Sequence, residues 1–328
     1  VRTGVDRYND SRQFIRAVST NRNPFGSYRE DDVNYTEINT DVLLSYNNYL
    51  TNDIRYSIAG GANRFDQDID YQYSEASQLS IPGIYSLANS RNPLRGTSQV
   101  FNKRINSVYG TGNISYKSSL FLDLTVRNDW SSTLPADNNS FAYYSTGLSY
   151  VVSNMFELPS DISFLKLRFN ASSAGNDTDP YQLNNTFQFN ENYGPFFRVT
   201  NETILKNAQL KPERLNALEA GVEFWLFGSR LQTEISAYQN TSINQIIGRP
   251  ISTTSGFSNI IENGGQVVTR GLEARVSGKL IRTKDFNWNA SINYSTFRSI
   301  VDQLPDGVDQ YITGSAKIFG GGGGSNEV

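Results

Sequence analysis

The chain has 328 residues, of which 38% are hydrophobic, a formal net charge of −3, and neither cysteine nor histidine. Without these two residue types it has no disulfide framework, no thiolate or imidazole metal site and no histidine-based catalytic centre. The charge gives no polybasic surface, which argues against a nucleic-acid partner. We therefore expect a protein that is not an enzyme and that needs neither a metal nor a cofactor.

Eleven segments of the sequence have the character of long β-strands. No apolar run approaches the ~20 residues that a membrane helix needs, whereas most of these segments reach the ~9–11 residues with which a tilted strand crosses a bilayer. In chain order they are 11–20, 33–48, 52–65, 101–116, 120–130, 141–152, 163–174, 214–227, 231–244, 266–281 and 286–300.

Several of these segments alternate between apolar and polar residues, with every charge on one parity. In residues 165–171, for example, the apolar positions are Leu165, Leu167 and Phe169, and the residues between them are polar. One face must avoid water and the other favours it, which fits either a membrane barrel or a soluble β-sandwich adhesin. In a barrel, the side chains predicted to face lipid are Leu122, Leu167, Val222, Ile235, Val276 and Ile292.

The lengths of the connections favour the barrel. Short or medium links (47–51, 117–119, 153–162, 228–230, 282–285) alternate with longer ones (21–32, 66–100, 131–140, 175–213, 245–265). Outer-membrane barrels have short periplasmic turns and long outer loops. We predict an all-β, antiparallel up-and-down transmembrane β-barrel whose segments pair with their neighbours in sequence.

Eleven strands do not close such a barrel, because bacterial barrels have even strand numbers and an open edge in lipid leaves backbone groups unpaired. We therefore expect the chain to be a fragment of a larger barrel. Residues 1–319 are expected to form part of the barrel with its long extracellular loops. Residues 320–328 are expected to form a flexible Gly-rich loop or truncated end.

Five motifs, in order along the chain, resemble the SusC/RagA-type TonB-dependent outer-membrane transporters. They are Arg127-Asn128-Asp129-Trp130-Ser131-Ser132; Leu165-Lys166-Leu167-Arg168 with Gly175-Asn176; Leu210-Lys211-Pro212-Glu213-Arg214 with Glu219-Ala220-Gly221; Asn263-Gly264-Gly265 with Gly271-Leu272-Glu273; and Phe286-Asn287-Trp288. Trp130 departs from the glycine that is usual in the first motif.

The resemblance implies a 22-stranded barrel in the outer membrane of a Gram-negative bacterium, surrounded by lipid bilayer and lipopolysaccharide. It also implies an N-terminal plug, energy supplied through TonB, and a SusD-like lipoprotein that covers the outer loops. The plug and TonB-contact motifs match nothing in this sequence, so contact with TonB would use an N-terminal segment that is absent here.

Two acidic clusters invite other interpretations. Asp66, Asp68 and Asp70 have the opening spacing of a calcium loop, but Tyr71 stands where such a loop needs glycine. Alternating acids on a wet face explain them more simply. Glu219 and Glu223 could act as a glycosidase pair, but we expect them to line a wet interior beside basic partners. Asp177 and Asp179, which precede Pro180, are interpreted as turn residues.

Aromatic residues in the two longest loops are the candidate substrate or lid contacts. Their rings could stack on sugars, hold peptide side chains, or pack against each other or a lid protein. They are Tyr71, Tyr73, Tyr85, Phe187, Tyr193, Phe196 and Phe197.

The sequence thus predicts an importer of bulky nutrients, either glycan or peptide oligomers. The alternative is an outer-membrane receptor or scaffold that transports nothing.

Overall fold

The computed structural model describes residues 1–19, 24–193, 195–305, 312–318 and 322–327. Almost all of the regular structure in this part of the chain is β-strand. The strands are β1 (Arg2–Arg16), β2 (Ser27–Tyr49), β3 (Ile54–Ala76), β4 (Arg95–Tyr116), β5 (Leu120–Ser131), β6 (Ser140–Val151), β7 (Ile162–Asn176), β8 (Phe187–Tyr193), β9 (Phe196–Asn201), β10 (Ile204–Leu205), β11 (Glu213–Leu226), β12 (Leu231–Pro250), β13 (Asn259–Arg282), β14 (Asn287–Gln303), β15 (Ile312–Ile318) and β16 (Gly322–Glu327). Short 3₁₀ turns lie at Leu87–Asn89, Val152–Asn154 and Thr253–Ser255. Within the described ranges, no helix is long and apolar enough to cross a membrane.

Twelve strands form one sheet, and its long strands follow the predicted meander. The order is β1 to β7, then β11, β12 and β13, with β14 on the far side of β13. All of these neighbours pair antiparallel, so the predicted all-β meander is confirmed. The exception is β10, which pairs parallel with β13. Strands β8 and β9 form a separate hairpin, as do β15 and β16. Of the predicted flexible end at 320–328, residues 320, 321 and 328 lie outside the described residues.

Several strands are about twice as long as a membrane crossing requires. β2 and β3 have 23 residues each, β4 has 22 and β13 has 24, against the ~9–11 needed. The additional length lies at the end of the sheet that carries the long connections. The predicted loop at 66–100 is therefore wrong in extent, because its first and last parts belong to β3 and β4. Beyond the membrane both faces of a strand meet water, so the period-two signal disappears although the backbone pairing continues.

The pairing registers place the apolar residues on one face, as predicted. Leu167 pairs with Val222, Val222 with Ile235, and Val276 with Ile292. Leu122 joins the same face through Leu148 and Phe169. Many of these side chains are bare: Leu167 is 46% exposed and Ile292 is 70% exposed. Contact of this face with lipid stays a prediction. Such contact would explain why so much apolar surface is uncovered in the protein alone.

The two buried apolar clusters both lie at the long-connection end of the sheet. One contains Tyr28, Ala76 and Leu79. The other contains Leu134, Phe141 and Leu210. A β-sandwich would instead bury one whole face of the sheet under a second one. Because the exposed residues run along the apolar face and both buried apolar clusters lie at the loop end, the sheet is a single-layered wall.

Candidate functional site: the outer mouth of the barrel wall

The polar face carries an ion-pair network on its central strands. Arg168 Nη1 donates to Glu234 Oε1 at 2.5 Å, and its Nε lies 3.4 Å from Glu219 Oε1. The Arg168 side chain runs across Gly221 on the neighbouring strand, where a Cβ atom would lie 2.6 Å from Arg168 Nε. Glu223 accepts a hydrogen bond from Trp225 Nε1 at 3.0 Å. The two glutamates of the possible glycosidase pair therefore have structural partners, and the assignment of the polar face to the barrel interior stays a prediction.

The connection between β7 and β11 folds against the polar face and is fixed at both ends. We call residues 177–212 the roof loop. At its start, the buried Asp177 carboxylate accepts hydrogen bonds from Lys103 Nζ at 2.6 Å, Ser131 Oγ at 2.5 Å and Thr133 Oγ1 at 3.2 Å. The sequence predicts only a turn role for Asp177 and does not reveal this anchor. The reason is that the three hydrogen-bond partners of Asp177 come from β4, from β5 and from the link after β5, which are distant in sequence.

The end of the roof loop is held by packing and by a paired amide. Leu210 is fully buried against Leu134 and Phe141. Beside it, the Asn263 side chain accepts from the Lys211 N–H and donates to the Lys211 carbonyl, each at 2.7 Å. These contacts connect the roof loop to the link after β5, to β6 and to β13.

The outer parts of β12 and β13 bend to meet the roof loop. Asn244 on β12 and Gly265 on β13 both have left-handed backbone conformations, with φ of 55° and 76°. The ladder skips both residues, because Ile243 pairs with Gln266 and the next pair joins Gln245 to Gly264. Above this bend, β10 of the roof loop adds to β13 in parallel. The loop is thus part of the sheet at one edge.

Two cavities lie between the roof loop and the wall. The first, of 530 Å³, lies between β4 and the first part of the roof loop and is lined by Gln99, Phe101, Tyr181 and Gln182 among others. The second, of 540 Å³, lies on the other side of Gln182, towards β12 and β13. Volumes of this order suit a ligand of several rings or a short oligomer segment.

Tyr181 is the strained residue of the first cavity. Its φ is 64°, a left-handed conformation that costs a residue with a Cβ atom about 1–2 kcal/mol. It follows Pro180 in a turn, where glycine or asparagine usually supplies a positive φ. The Tyr181 ring stays 53% exposed, with its centroid 6.1 Å from that of Phe101. The conformation therefore presents an aromatic ring at the cavity.

The base of the β8–β9 hairpin is clamped by Glu202. Its carboxylate accepts hydrogen bonds from Lys206 Nζ at 2.8 Å, Asn185 Nδ2 at 3.0 Å and Thr186 Oγ1 at 2.9 Å. Burial alone would raise the pKa of Glu202, but these hydrogen bonds lower it overall. The Glu202 carboxylate therefore stays ionised near neutral pH.

One face of this hairpin is apolar and uncovered. Phe189 pairs with Val199, and Phe187 and Phe197 lie two positions away on the same side. Phe187 is 69% exposed, whereas Phe189 and Phe197 are each 83% exposed. Phe196, on the opposite face, is 70% exposed. The Tyr193 side chain, a predicted contact, lies outside the described residues.

Two of the three predicted contact residues from the first long loop lie on a strand, and the third lies in the connection that follows it. Tyr71 and Tyr73 lie on β3, where the Tyr71 hydroxyl donates to Asp31 at 3.0 Å and the Tyr73 ring lies 4.1 Å from the Arg29 guanidinium carbon. Tyr85 packs against the first buried cluster. These contacts favour the packing role that was the alternative for all three.

The acidic run on β3 also has a structural explanation. The Asp66 carboxylate pairs with Arg64 at 2.6 Å and with Arg104 on the neighbouring strand. Hydrogen bonds from these arginines lower the pKa of Asp66, and the bond from Arg64 has the larger effect. Over the residues that the structure describes, no group of three or more acidic side chains is arranged to hold a metal ion.

The fold defines a class of protein. A meander of long strands with ion pairs on one face, bare apolar residues on the other and long loops gathered at one end is the wall of an outer-membrane β-barrel. The chain belongs to the family of TonB dependent receptor-like β-barrels, whose model matches residues 2–324. This places it in the outer membrane of a Gram-negative bacterium and in a class that is not enzymatic.

Curated relatives agree with the predicted SusC/RagA resemblance, which is confirmed. The TonB-dependent receptor SusC of Bacteroides thetaiotaomicron is 25% identical over 311 residues, which cover 88% of this chain and 31% of that protein. The TonB-dependent receptor P3 of Formosa agariphila is 28% identical over 221 residues, covering 65% of this chain and 22% of that protein. The chain thus spans less than a third of the length of these relatives.

Solved structures show the same fold. The RagAB peptide transporter superposes with a TM-score of 0.83 at 21% identity, covering 95% of this chain and 36% of that one. A more distant likeness, with a TM-score of 0.53 at 12% identity, joins the chain to the structure of the FpvAI–pyocin S2 complex. At these identities the likeness concerns the fold.

Proposed function

We propose that the full-length protein is a TonB-dependent importer of bulky nutrients, glycan or peptide oligomers, that works with a SusD-like surface lipoprotein. The observation that carries this proposal is the outer mouth, where an anchored roof loop encloses two cavities and holds an uncovered aromatic hairpin. Its relatives include SusC, and its structural neighbours include the RagAB peptide transporter. A plug and a TonB-contact segment belong to the remainder of such a protein.

The apolar hairpin face is the proposed docking surface for the lipoprotein. A two-stranded hairpin is marginally stable in water by itself, and ordering each residue costs ~1–2 kcal/mol. The clamp at Glu202 fixes only the base of this hairpin. Exposed Phe187, Phe189 and Phe197 form a rigid apolar patch of the kind that marks a protein interface. An apolar surface of the lid, seated on this patch, would stabilise both.

The docking surface is tested in the full-length transporter by co-purification of the lipoprotein. The variant Phe187→Ser/Phe189→Ser/Phe197→Ser should retain at most about a tenth of the lipoprotein that the wild type retains. Truncating each aromatic anchor costs on the order of 1 kcal/mol or more of binding free energy. Deletion of residues 184–197 should do the same, while the barrel keeps its heat-modifiable migration. Phe196→Ser is the matched control, since Phe196 is equally exposed on the opposite face. Normal retention of the lipoprotein by the triple variant would contradict the proposal.

Import itself is tested separately from docking. Uptake of a radiolabelled oligomer that supports growth should stop in a strain that lacks TonB, while surface binding of the same oligomer persists. Binding and uptake that are both independent of TonB would instead identify a receptor or scaffold that does not transport.

A further inference from the structure

The cavity beneath Tyr181 has a surface chemistry that differs from that of the hairpin. Around the Tyr181 and Phe101 rings, its polar lining includes the amides Gln99, Gln182 and Asn184. Amide groups can donate and accept hydrogen bonds without carrying charge. The lining thus combines an exposed ring with neutral groups of both hydrogen-bonding types.

The charged side chains near this cavity neutralise each other. Lys206 and Glu202 are the two charged residues in its lining; they are 2.8 Å apart, and their side chains are only 14% and 12% exposed. Lys103, beside the neighbouring cavity, is likewise paired with the buried Asp177 at 2.6 Å. An anionic ligand would have to compete with these ion pairs for each cation. The cavity is therefore electrostatically matched to an uncharged ligand.

We propose that this cavity is a binding subsite for a neutral oligosaccharide segment and that Tyr181 is its stacking platform. The C–H groups on one face of a pyranose ring carry a small positive charge that complements the negative face of an aromatic ring. The surrounding amides match the sugar hydroxyls, which also both donate and accept. The left-handed backbone of Tyr181 keeps its ring in the cavity rather than packed under the roof loop. This subsite deepens the proposed import function and rests on it for its biological role.

The test measures binding by calorimetry to the purified full-length protein, with maltohexaose, cellohexaose, mannohexaose, a galacturonate hexamer and an unstructured hexapeptide as separate probes. At least one neutral hexasaccharide should bind more tightly than the anionic hexamer and the peptide. Tyr181→Ala should weaken that binding by about tenfold, a typical loss for an aromatic anchor. Tyr181→Phe keeps the ring and should stay within about threefold of the wild type.

Tyr181→Gly separates the ring from the backbone strain. Glycine accepts the positive φ, so this variant should fold at least as stably as the wild type and still lose the same affinity as Tyr181→Ala. Unchanged affinity in both variants, or binding confined to the peptide or the anionic hexamer, would overturn the proposal.

The hairpin variant Phe187→Ser/Phe189→Ser/Phe197→Ser separates this inference from the docking proposal. It should retain direct oligosaccharide binding in the absence of the lipoprotein, so loss of binding there would count against a subsite centred on Tyr181. Persistent TonB-independent uptake would refute import while leaving the measured subsite intact.

Discussion

The substitution Gly221→Ala tests whether glycine on the interior face is needed for the Arg168 network. Gly221 does not have a positive φ, so its backbone accepts alanine. The added Cβ would lie 2.6 Å from Arg168 Nε and 3.0 Å from its Cγ, and the side chain must move away. Arg168 would then lose its present geometry with Glu219 and Glu234.

The cost follows from the exposure of the three charged groups. The Arg168 side chain is 22% exposed, and those of Glu219 and Glu234 are 38% and 41% exposed. Solvent screening limits pairs of this kind to about 0.5–1 kcal/mol each, so the expected loss is about 1–2 kcal/mol. In an Arg168→Ala background nothing crosses Gly221, and Gly221→Ala should be neutral or stabilising by about 0.5 kcal/mol.

The assay is a double-mutant cycle on the full-length protein in phospholipid vesicles, with urea unfolding followed by tryptophan fluorescence. A coupling of about 1–2.5 kcal/mol between the two positions is expected. Additive effects, with Gly221→Ala equally costly in both backgrounds, would refute the explanation. The matched control is Gly112→Ala, since the space around a Cβ there is open.

Three further predictions follow from the lipid face, the roof-loop anchor and the ion pair between Arg29 and Asp31 on β2. Leu167→Lys should cost ~2–4 kcal/mol near the bilayer midplane, whereas Asn289→Lys on the interior face should be tolerated; vesicle unfolding measures both, and equal costs would contradict the facial assignment. Asp177→Ala leaves Lys103, whose side chain is only 19% exposed, without its partner, so the roof loop should become protease-sensitive while the barrel stays intact, and unchanged cleavage would argue against the anchor. The pKa of Asp31 is lowered mainly by its hydrogen bond from Arg29. The stability that this pair contributes is therefore complete above the unfolded pKa of ~3.9 and is lost as pH falls through the lower pKa of the folded state. The protection factors of the amides in the outer part of β2, which correct for the intrinsic pH dependence of exchange, should therefore fall only in acid, and a loss of protection near pH 7 would exclude this origin.

The membrane-spanning part of the fold could be predicted because lipid imposes a strict rule on each residue. The eleven segments with strand character overlap all eleven long strands, several of them also alternate in polarity, and the motifs identified the family. The outer halves of β2, β3 and β4 carry no such rule, since water meets both faces there. Their polar sequences therefore predict loops, although the backbone pairing continues there.

The site could be predicted only in part, because its geometry depends on residues that are distant in sequence. The motif glycines illustrate this point. Gly221 lies under Arg168, and a Cβ atom at Gly271 would lie 2.4 Å from the Tyr238 ring, yet neither glycine is close in sequence to the side chain above it. Likewise, nothing in a Pro-Tyr dipeptide reveals the positive φ of Tyr181. Aromatic composition singles out the hairpin phenylalanines as candidates, but it does not indicate which of them share a face.

The unequal heights of the strands give the wall a sloping rim. The 23 residues of β2 extend about 75 Å at ~3.3 Å per residue, and a tilted bilayer crossing uses roughly 40 Å of that. β5 and β6 have only 12 residues each, so the rim falls steeply towards them. Across this part of the wall, the side formed by β2, β3 and β4 therefore projects further beyond the membrane than the side formed by β5 and β6. The outer edge is asymmetric in the strands themselves, before any loop is added.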